Sequence, residues 1–308
     1  MEHIIEVEHL KKYYRETKAV DDISFSVKRG ELFGFLGVNG AGKSTTVNIL
    51  CTMQTPTEGT VHINGLDIYK DKERIKRHIG VVYQNNCLDK RLTVYENLMC
   101  RGNLYENDLK NVKKTMDYVA EILELQDILH CSFGKLSGGQ KRRCEIARAL
   151  MHTLDILFLD EPTTGLDPAT RKSVWETIGK LQSELKMTVF LTTHYMEEAA
   201  KAEHIGIIDH GHLVEYGTPF SLKEKYAKDK LYLIPWNGAV EGMERKLQQE
   251  RIKYIKQDGR FLVKIENTLA AMPILERFGE LLEGFEVIQG TMDDVFLNVS
   301  DESIRRSV

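Results

Sequence analysis

No run in this chain approaches the roughly 18–20 apolar residues that a membrane-crossing helix needs, so no bilayer span is expected. The opening Met1-Glu2-His3-Ile4-Ile5-Glu6 lacks the basic and apolar regions of a secretory leader. A cytoplasmic protein is therefore expected, with any membrane role supplied through a partner. Cysteine is sparse, and Cys51, Cys87, Cys100, Cys131 and Cys144 show no C-x-x-C or Cys/His metal spacing; they read as reduced structural thiols. An excess of positive charge is missing too. A net charge of −4 and a pI near 6.2 give no electrostatic footprint for nucleic acid, although an average can hide a local basic patch. What is present suits a soluble globular protein: 308 residues, 42% hydrophobic and 29% charged, enough for one large domain and a small one.

The chain is organised around Gly37-Val38-Asn39-Gly40-Ala41-Gly42-Lys43-Ser44-Thr45, which follows the apolar run Leu32-Phe33-Gly34-Phe35-Leu36. A buried strand, a glycine-rich turn and a helix starting at Lys43 or Ser44 make a phosphate-binding loop. Glycines let successive backbone N–H groups surround an anion, and the helix start adds free donors and partial positive charge. Lys43 would reach the β- and γ-phosphates and Ser44 would offer its hydroxyl to Mg²⁺. The plainer alternative is an ordinary strand-to-helix turn with an exposed lysine.

Around this loop the pattern reads as α/β. Residues 4–9 and 22–28 alternate as half-buried strands, with Leu10-Lys11-Lys12-Tyr13-Tyr14 between them; a tyrosine there could stack on a purine or simply edge a strand. Asn64-Gly65 marks a hairpin. Ile79-Gly80-Val81-Val82-Tyr83 is a buried strand ending at Gln84, whose amide could ligate Mg²⁺, hold the attacking water, or be a plain loop side chain. Residues 88–135 turn helical, with Val112, Met116, Val119 and Leu123 on one face, as expected of a separate lobe. They lead into Leu136-Ser137-Gly138-Gly139-Gln140 and a helix. Ser137 is a good N-cap, but a cap gives no reason for two glycines that weaken a helix by ~1 kcal/mol each. Ile156-Leu157-Phe158-Leu159 is a strand buried on both faces, and Asp160 and Glu161 stand at its C-terminal end, where such sheets place ligands. Asp160 would hold Mg²⁺; Glu161 would polarise a water aimed at the γ-phosphorus. Asp167 caps the next helix with Pro168 in its first turn. The strand Thr188–Thr192 ends at His194, a loop residue or a sensor of the γ-phosphate.

These motifs, in this order, resemble the nucleotide-binding subunit of an ATP-binding-cassette transporter, from residue 4 to about 220. The resemblance implies a P-loop NTPase cassette, with a mixed sheet and a helical lobe at about 88–150, within an ATP-binding domain spanning 1–225. It implies ATP and Mg²⁺ as ligands, with Gly37, Asn39, Gly40, Ala41, Gly42, Lys43, Ser44, Thr45 and Asp167 around the nucleotide and Ser44, Gln84 and Asp160 on the metal. Glu161 would be the catalytic base, His194 would position the γ-phosphate, Gln84 would serve the attacking water, and Tyr14 (or adjacent Tyr13) would stack on adenine. Ser137, Gly138, Gly139 and Gln140 would complete the site of a second copy in a head-to-tail homodimer, or of a paralogous cassette. The remaining partner would be an integral membrane permease, and the subunit would lie on the inner face of the cell membrane. The implied function is ATP hydrolysis powering export. The alternative is a cassette ATPase that moves no substrate and acts as a mechanical clamp in translation or DNA maintenance.

From about Lys228 the order β-α-β-β-α-β predicts a small α+β, ferredoxin-like domain over 226–308. It resembles the C-terminal extension of export-type cassettes, with Thr291-Met292-Asp293-Asp294-Val295-Phe296-Leu297 as the recurring segment. Its role reads as regulatory, dimer-stabilising, or that of an inert appendage.

Overall fold

Five consecutive buried residues, Leu32–Leu36, set the architecture, because a strand covered on both faces belongs inside a parallel sheet. It runs parallel to Thr188–Thr193 on one side and His204–Asp209 on the other. Ile156–Asp160 and then Ile79–Val82 extend the parallel set, while His212–Gly217 pairs antiparallel with His204–Asp209 at the opposite edge. The computed structural model describes residues 2–152 and 154–306.

A four-stranded antiparallel sheet lies beside this one, in the order Thr17–Lys28, His3–Tyr14, Glu58–Ile63, Leu66–Asp67. One aromatic cluster fuses the two. Phe25 stacks on Phe33 with ring centroids 5.7 Å apart, and Phe190 sits 5.2 Å from Phe33 and 5.3 Å from Phe158. Each buried ring contributes about 1.5–3 kcal/mol. The Asn64-Gly65 turn has both residues at positive φ (52° and 71°), as the hairpin requires. The first two strands are longer than their alternation suggests: His3–Tyr14 runs through the segment read as a connection. Their pairing shifts register between Val7 and Leu10, with His9 at φ 50° and Asp22 at φ 60°. Such bulges break the two-residue period on which the sequence reading relies.

The helical segment holds Val94–Gly102 and Leu109–Ile122, and Val112, Met116, Val119 and Leu123 are all buried as expected. The helix Gly138–Ala149 follows.

The chain divides into two compact units, the first ending at Thr218 and the second beginning at Pro219. The boundary falls before the helix Pro219–Tyr226, because that helix packs against the terminal helix Met292–Arg306 of the second unit. The second unit is a four-stranded antiparallel sheet ordered Tyr254–Gln257, Arg260–Ile265, Asp229–Pro235, Leu282–Ile288. Helices Val240–Gln249 and Met272–Phe278 bury Met243, Leu247, Ile274 and Phe278 against Leu231, Leu233, Phe261 and Val263. The Thr291–Leu297 segment has a mechanical explanation. Asp294 accepts from the Thr291 N–H at 3.0 Å while its own N–H donates to the Thr291 hydroxyl at 3.2 Å, and Lys230 donates to Asp294 at 2.7 Å. A capping box with an aspartate thus starts the helix and ties it to the sheet.

His152 offers a test of the first unit's packing. Its ring stacks on Tyr105 at 4.0 Å and its Nε2–H donates to the Ile79 carbonyl at 3.2 Å. Burial pushes its pKa from the usual 6.5 down to about 4, more than the Ile79 bond raises it. The unfolded chain therefore takes up this proton first, and stability is full above pH ~6.5 and falls as the pH drops toward ~4. Thermal and urea unfolding should show about 2 kcal/mol lost from this group between pH ~7 and ~5. His152→Gln should flatten that window; an unchanged pH profile would contradict the buried, neutral imidazole.

Candidate active site

The strand Leu32–Leu36 delivers the chain into the glycine-rich loop, and the helix Lys43–Leu50 carries it away. Gly42 caps this helix at φ 113°, where a Cβ would lie 2.5 Å from the Ala19 carbonyl oxygen. Only glycine fits on both counts. Gly37 and Ala41 are buried and shape the loop from below. Asn39, Gly40, Gly42, Lys43, Ser44 and Thr45 line a cavity of about 310 Å³, together with Gln84, Asp160 and Glu161 from two other strand ends. Ala19, which carries no sequence signal for a site, is on the wall as well.

Lys43 is 5% exposed, and its ammonium donates to the carbonyls of Gly37 (2.7 Å) and Val38 (3.1 Å). Burial pushes its pKa below the ordinary lysine value, against the opposing pull of Glu161 and Asp160. Its Nζ lies 3.9 Å from Glu161 Oε1. A buried cation with only loop carbonyls and one distant carboxylate oxygen is well placed to trade them for phosphate oxygens.

The two acids differ in their surroundings. Asp160 Oδ1 accepts from the Thr192 hydroxyl at 2.6 Å. Glu161 accepts from the Thr164 hydroxyl at 3.0 Å, and His194 Nδ1 stands 3.2 Å from its Oε1. Neither acid is unpartnered; hydroxyl donors from neighbouring elements meet them. Glu161 also sits at φ 46°, a left-handed conformation that non-glycine residues seldom adopt. Ser44, Gln84 and Asp160 bring a hydroxyl, an amide oxygen and a carboxylate to one cavity. An oxygen-only donor set with a single acid suits Mg²⁺, which keeps waters and phosphate oxygens as its other ligands.

The remaining sequence-predicted residues lie off the wall. His194 touches Glu161 and stacks with Tyr195 at 4.2 Å. Asp167 caps the helix Pro168–Leu185, accepting from Ala169 and Thr170 N–H at 3.1 and 3.0 Å, and its carboxyl is held below the usual range by the Thr170 hydroxyl. Tyr14 is 42% exposed with its hydroxyl bonded to Gln54, whereas Tyr13 spends its hydroxyl on Asp21 at 2.6 Å. Of the pair, Tyr14 has the accessible ring.

Ser137 and Gln140 form a capping box: Gln140 N–H donates to Ser137 Oγ at 3.3 Å and Ser137 N–H to Gln140 Oε1 at 3.0 Å. This corner is exposed at Ser137 and Gly138 and does not line the cavity of its own chain. A Cβ on Gly139 would meet Thr170 Cγ2 at 2.6 Å, and one on Gly138 would meet Leu166 Cδ2 at 3.1 Å. Close packing on the helix Pro168–Leu185 therefore supplies an internal reason for the second glycine, which the sequence reading had assigned wholly to a ligand.

A buried network that the sequence did not disclose fixes this helix to the sheet edge. Arg142 donates to the carbonyls of Tyr83 and Asp160, the residues flanking Gln84 and Glu161, and burial pushes its pKa down to about 10. Glu145 accepts from the N–H groups of Cys87 (2.6 Å) and Leu88 (2.9 Å) and from Arg148 (2.8 Å), which donates onward to the Val81 carbonyl at 2.7 Å. In sequence, Lys141-Arg142-Arg143 resembles a solvated basic stretch; the signal lies in the charges three apart at 142, 145 and 148, all on the buried face.

The ABC transporter family matches residues 20–164. The daunorubicin/doxorubicin resistance ATP-binding protein DrrA of Streptomyces peucetius is 35% identical over 301 residues, covering 95% of this chain and 91% of that protein. The probable multidrug ABC transporter ATP-binding protein YbhF of Escherichia coli strain K12 is 38% identical over 229 residues, which span 74% of this chain but only 39% of YbhF. Among solved structures, a dimeric post-hydrolysis state of the ATP-binding cassette MJ0796 bound to ADP and Pi superimposes with a TM-score of 0.61 at 27% identity, covering 70% of this chain and 98% of that one.

Removing the Arg142 guanidinium should be costly, because two strand-end carbonyls and Glu145 lose a buried positive neighbour. Arg142→Ala should lower the stability of the first unit by about 3 kcal/mol. Urea unfolding followed through Trp175, with Trp236 reporting the second unit, measures it. A loss under about 0.5 kcal/mol would show that the network does not hold the edge together.

Proposed function

Because the chain belongs to the ABC transporter family, we propose that it is an ATP-binding and hydrolysing subunit that powers export through a separate membrane-spanning permease. One observation carries the reading: Lys43, Ser44, Gln84, Asp160 and Glu161, drawn from three strand ends, meet in a single cavity behind a glycine-capped helix start.

In this mechanism the loop N–H groups and the Lys43 ammonium hold the β- and γ-phosphates, with Lys43 giving up the Gly37 and Val38 carbonyls as they arrive. Glu161 takes the proton of the water that attacks the γ-phosphorus. Thr164 fixes its carboxylate by a hydroxyl hydrogen bond, and His194, whose Nδ1 stands 3.2 Å from it, positions the γ-phosphate. Ser44, Gln84 and Asp160 would hold Mg²⁺, which when bound would supply charge neutralisation for the triphosphate. Tyr14 offers its exposed ring to adenine. The Ser137–Gln140 corner completes the cavity of a second copy arranged head-to-tail, or of a paralogous cassette, where a helix start with free N–H groups suits a γ-phosphate.

Among the described residues no helix is long and apolar enough to cross a membrane. In the proposed assembly the subunit docks on the inner face of the cell membrane through its permease, with the helical lobe and the segment after Gln84 as the contact. Drug-like cargo is supported by the names of DrrA and YbhF, and export as the direction by the Nod factor export ATP-binding protein I of Ralstonia nicotianae, 41% identical over 220 residues. No feature of the site favours a non-transport clamp.

Glu161→Gln should keep ATP affinity within about threefold and lower hydrolysis at least about hundredfold, as expected on losing a general base. Radiolabelled ATP binding and phosphate release measure both. Turnover close to wild type would remove Glu161 from its role, and loss of binding without residual structure change would reassign it to nucleotide recognition.

A further inference from the structure

We infer that the second unit carries a binding site of its own for a phosphate-bearing ligand. It is a cavity of about 600 Å³ with Lys225, Lys228, Lys230, Lys253 and Lys264 on its wall. Among the described residues the only carboxylate on that wall, Asp294, is committed to Lys230 at 2.7 Å. Asp229, next in the chain, spends its carboxylate elsewhere, on the Thr268 hydroxyl at 2.8 Å and the Gly290 N–H at 2.9 Å.

The register brings these charges together on one face. Lys230 and Lys264 lie directly opposite each other across the pair of strands Asp229–Pro235 and Arg260–Ile265, so both ammonium groups leave the same face. Like charges at directly opposed positions destabilise a sheet. Lys253 enters the neighbouring strand Tyr254–Gln257 beside them, and Lys225 and Lys228 come from the helix Pro219–Tyr226 and the turn after it. With Lys230 met by Asp294, an anion in the cavity balances the charge of Lys228, Lys253 and Lys264.

The rest of the wall narrows the ligand. Leu262, Ile255 and the Tyr226 ring give it an apolar side, and Ile255 is 55% exposed on a strand that could have carried a polar residue there. A wall with ammonium groups and no guanidinium suits charge spread over several oxygens rather than one planar carboxylate. A phosphate or diphosphate group attached to a small apolar or ring-bearing body fits both halves. The source is either a soluble phosphate ester or a phospholipid headgroup.

The test uses the full chain, ¹⁵N-labelled. Pyrophosphate titration should move the amide signals of Ile255, Leu262 and Lys264 saturably, resolved from the loop amides of Asn39 to Ser44 that the cassette site contributes. In a parallel arm, the chain is floated with vesicles of phosphatidylglycerol and phosphatidylcholine in equal parts, against phosphatidylcholine alone. Shifts at the cavity identify a soluble phosphate source; flotation only with the anionic vesicles identifies a lipid headgroup. In either arm Lys253→Glu or Lys264→Glu should weaken binding about tenfold each, as for loss of a charge-assisted contact. Lys113→Glu, an exposed reversal in the first unit, should leave it unchanged. Cavity amides that stay still with no selective flotation, or binding indifferent to Lys253→Glu and Lys264→Glu, would overturn the assignment.

Discussion

The interaction on which this architecture depends is the buried charge network of the helix Gly138–Ala149. Arg142, Glu145 and Arg148 reach the carbonyls of Val81, Tyr83 and Asp160 and the N–H groups of Cys87 and Leu88. Desolvating three charges costs several kcal/mol each, so the network persists only because nearly every donor and acceptor is met. Its consequence is mechanical. The ends of two parallel strands, bearing Gln84 and Asp160-Glu161, cannot move independently of the helix that begins at Ser137.

In the proposed dimer that coupling joins two incomplete halves. The cavity of one chain has a glycine-lined floor, a buried cation and two acids, while its Ser137 corner stands exposed and away from it. A corner held rigidly to the sheet yet remote from the cavity of the same chain suits a mate's cavity. In the proposed cycle, nucleotide between two copies would be felt at Gln84 and at the segment after it through Arg142 and Glu145. The route would run through the Arg142 bonds to the Tyr83 and Asp160 carbonyls and the Glu145–Arg148 ion pair rather than through a flexible loop.

Much of this was legible in the sequence, for physical reasons. Strands buried on both faces, such as Leu32–Leu36 and Ile156–Asp160, read as continuous apolar runs, and residues at their C-terminal ends fall on one edge by topology alone. Lys43, Asp160 and Glu161 could therefore be placed together without coordinates. Features set by tertiary contacts were not legible. The bulges near His9 and Asp22 hid the length of the first hairpin. The tight contact of Gly139 with Thr170 depends on how two helices meet, and the helix Pro219–Tyr226 joined the second unit through packing that its own residues do not announce. The left-handed Glu161 is likewise invisible to pattern, since glutamate has no preference for that conformation.

The central claim is that each chain holds half of two sites, and short-range crosslinking tests it most directly. In a Glu161→Gln chain with the exposed Cys87, Cys100 and Cys131 changed to serine, Asn39→Cys and Ser137→Cys are treated with a short bismaleimide. The account predicts a covalent dimer that forms with ATP and not without it. Monomer persisting at an ATP concentration shown to fill the site would contradict it.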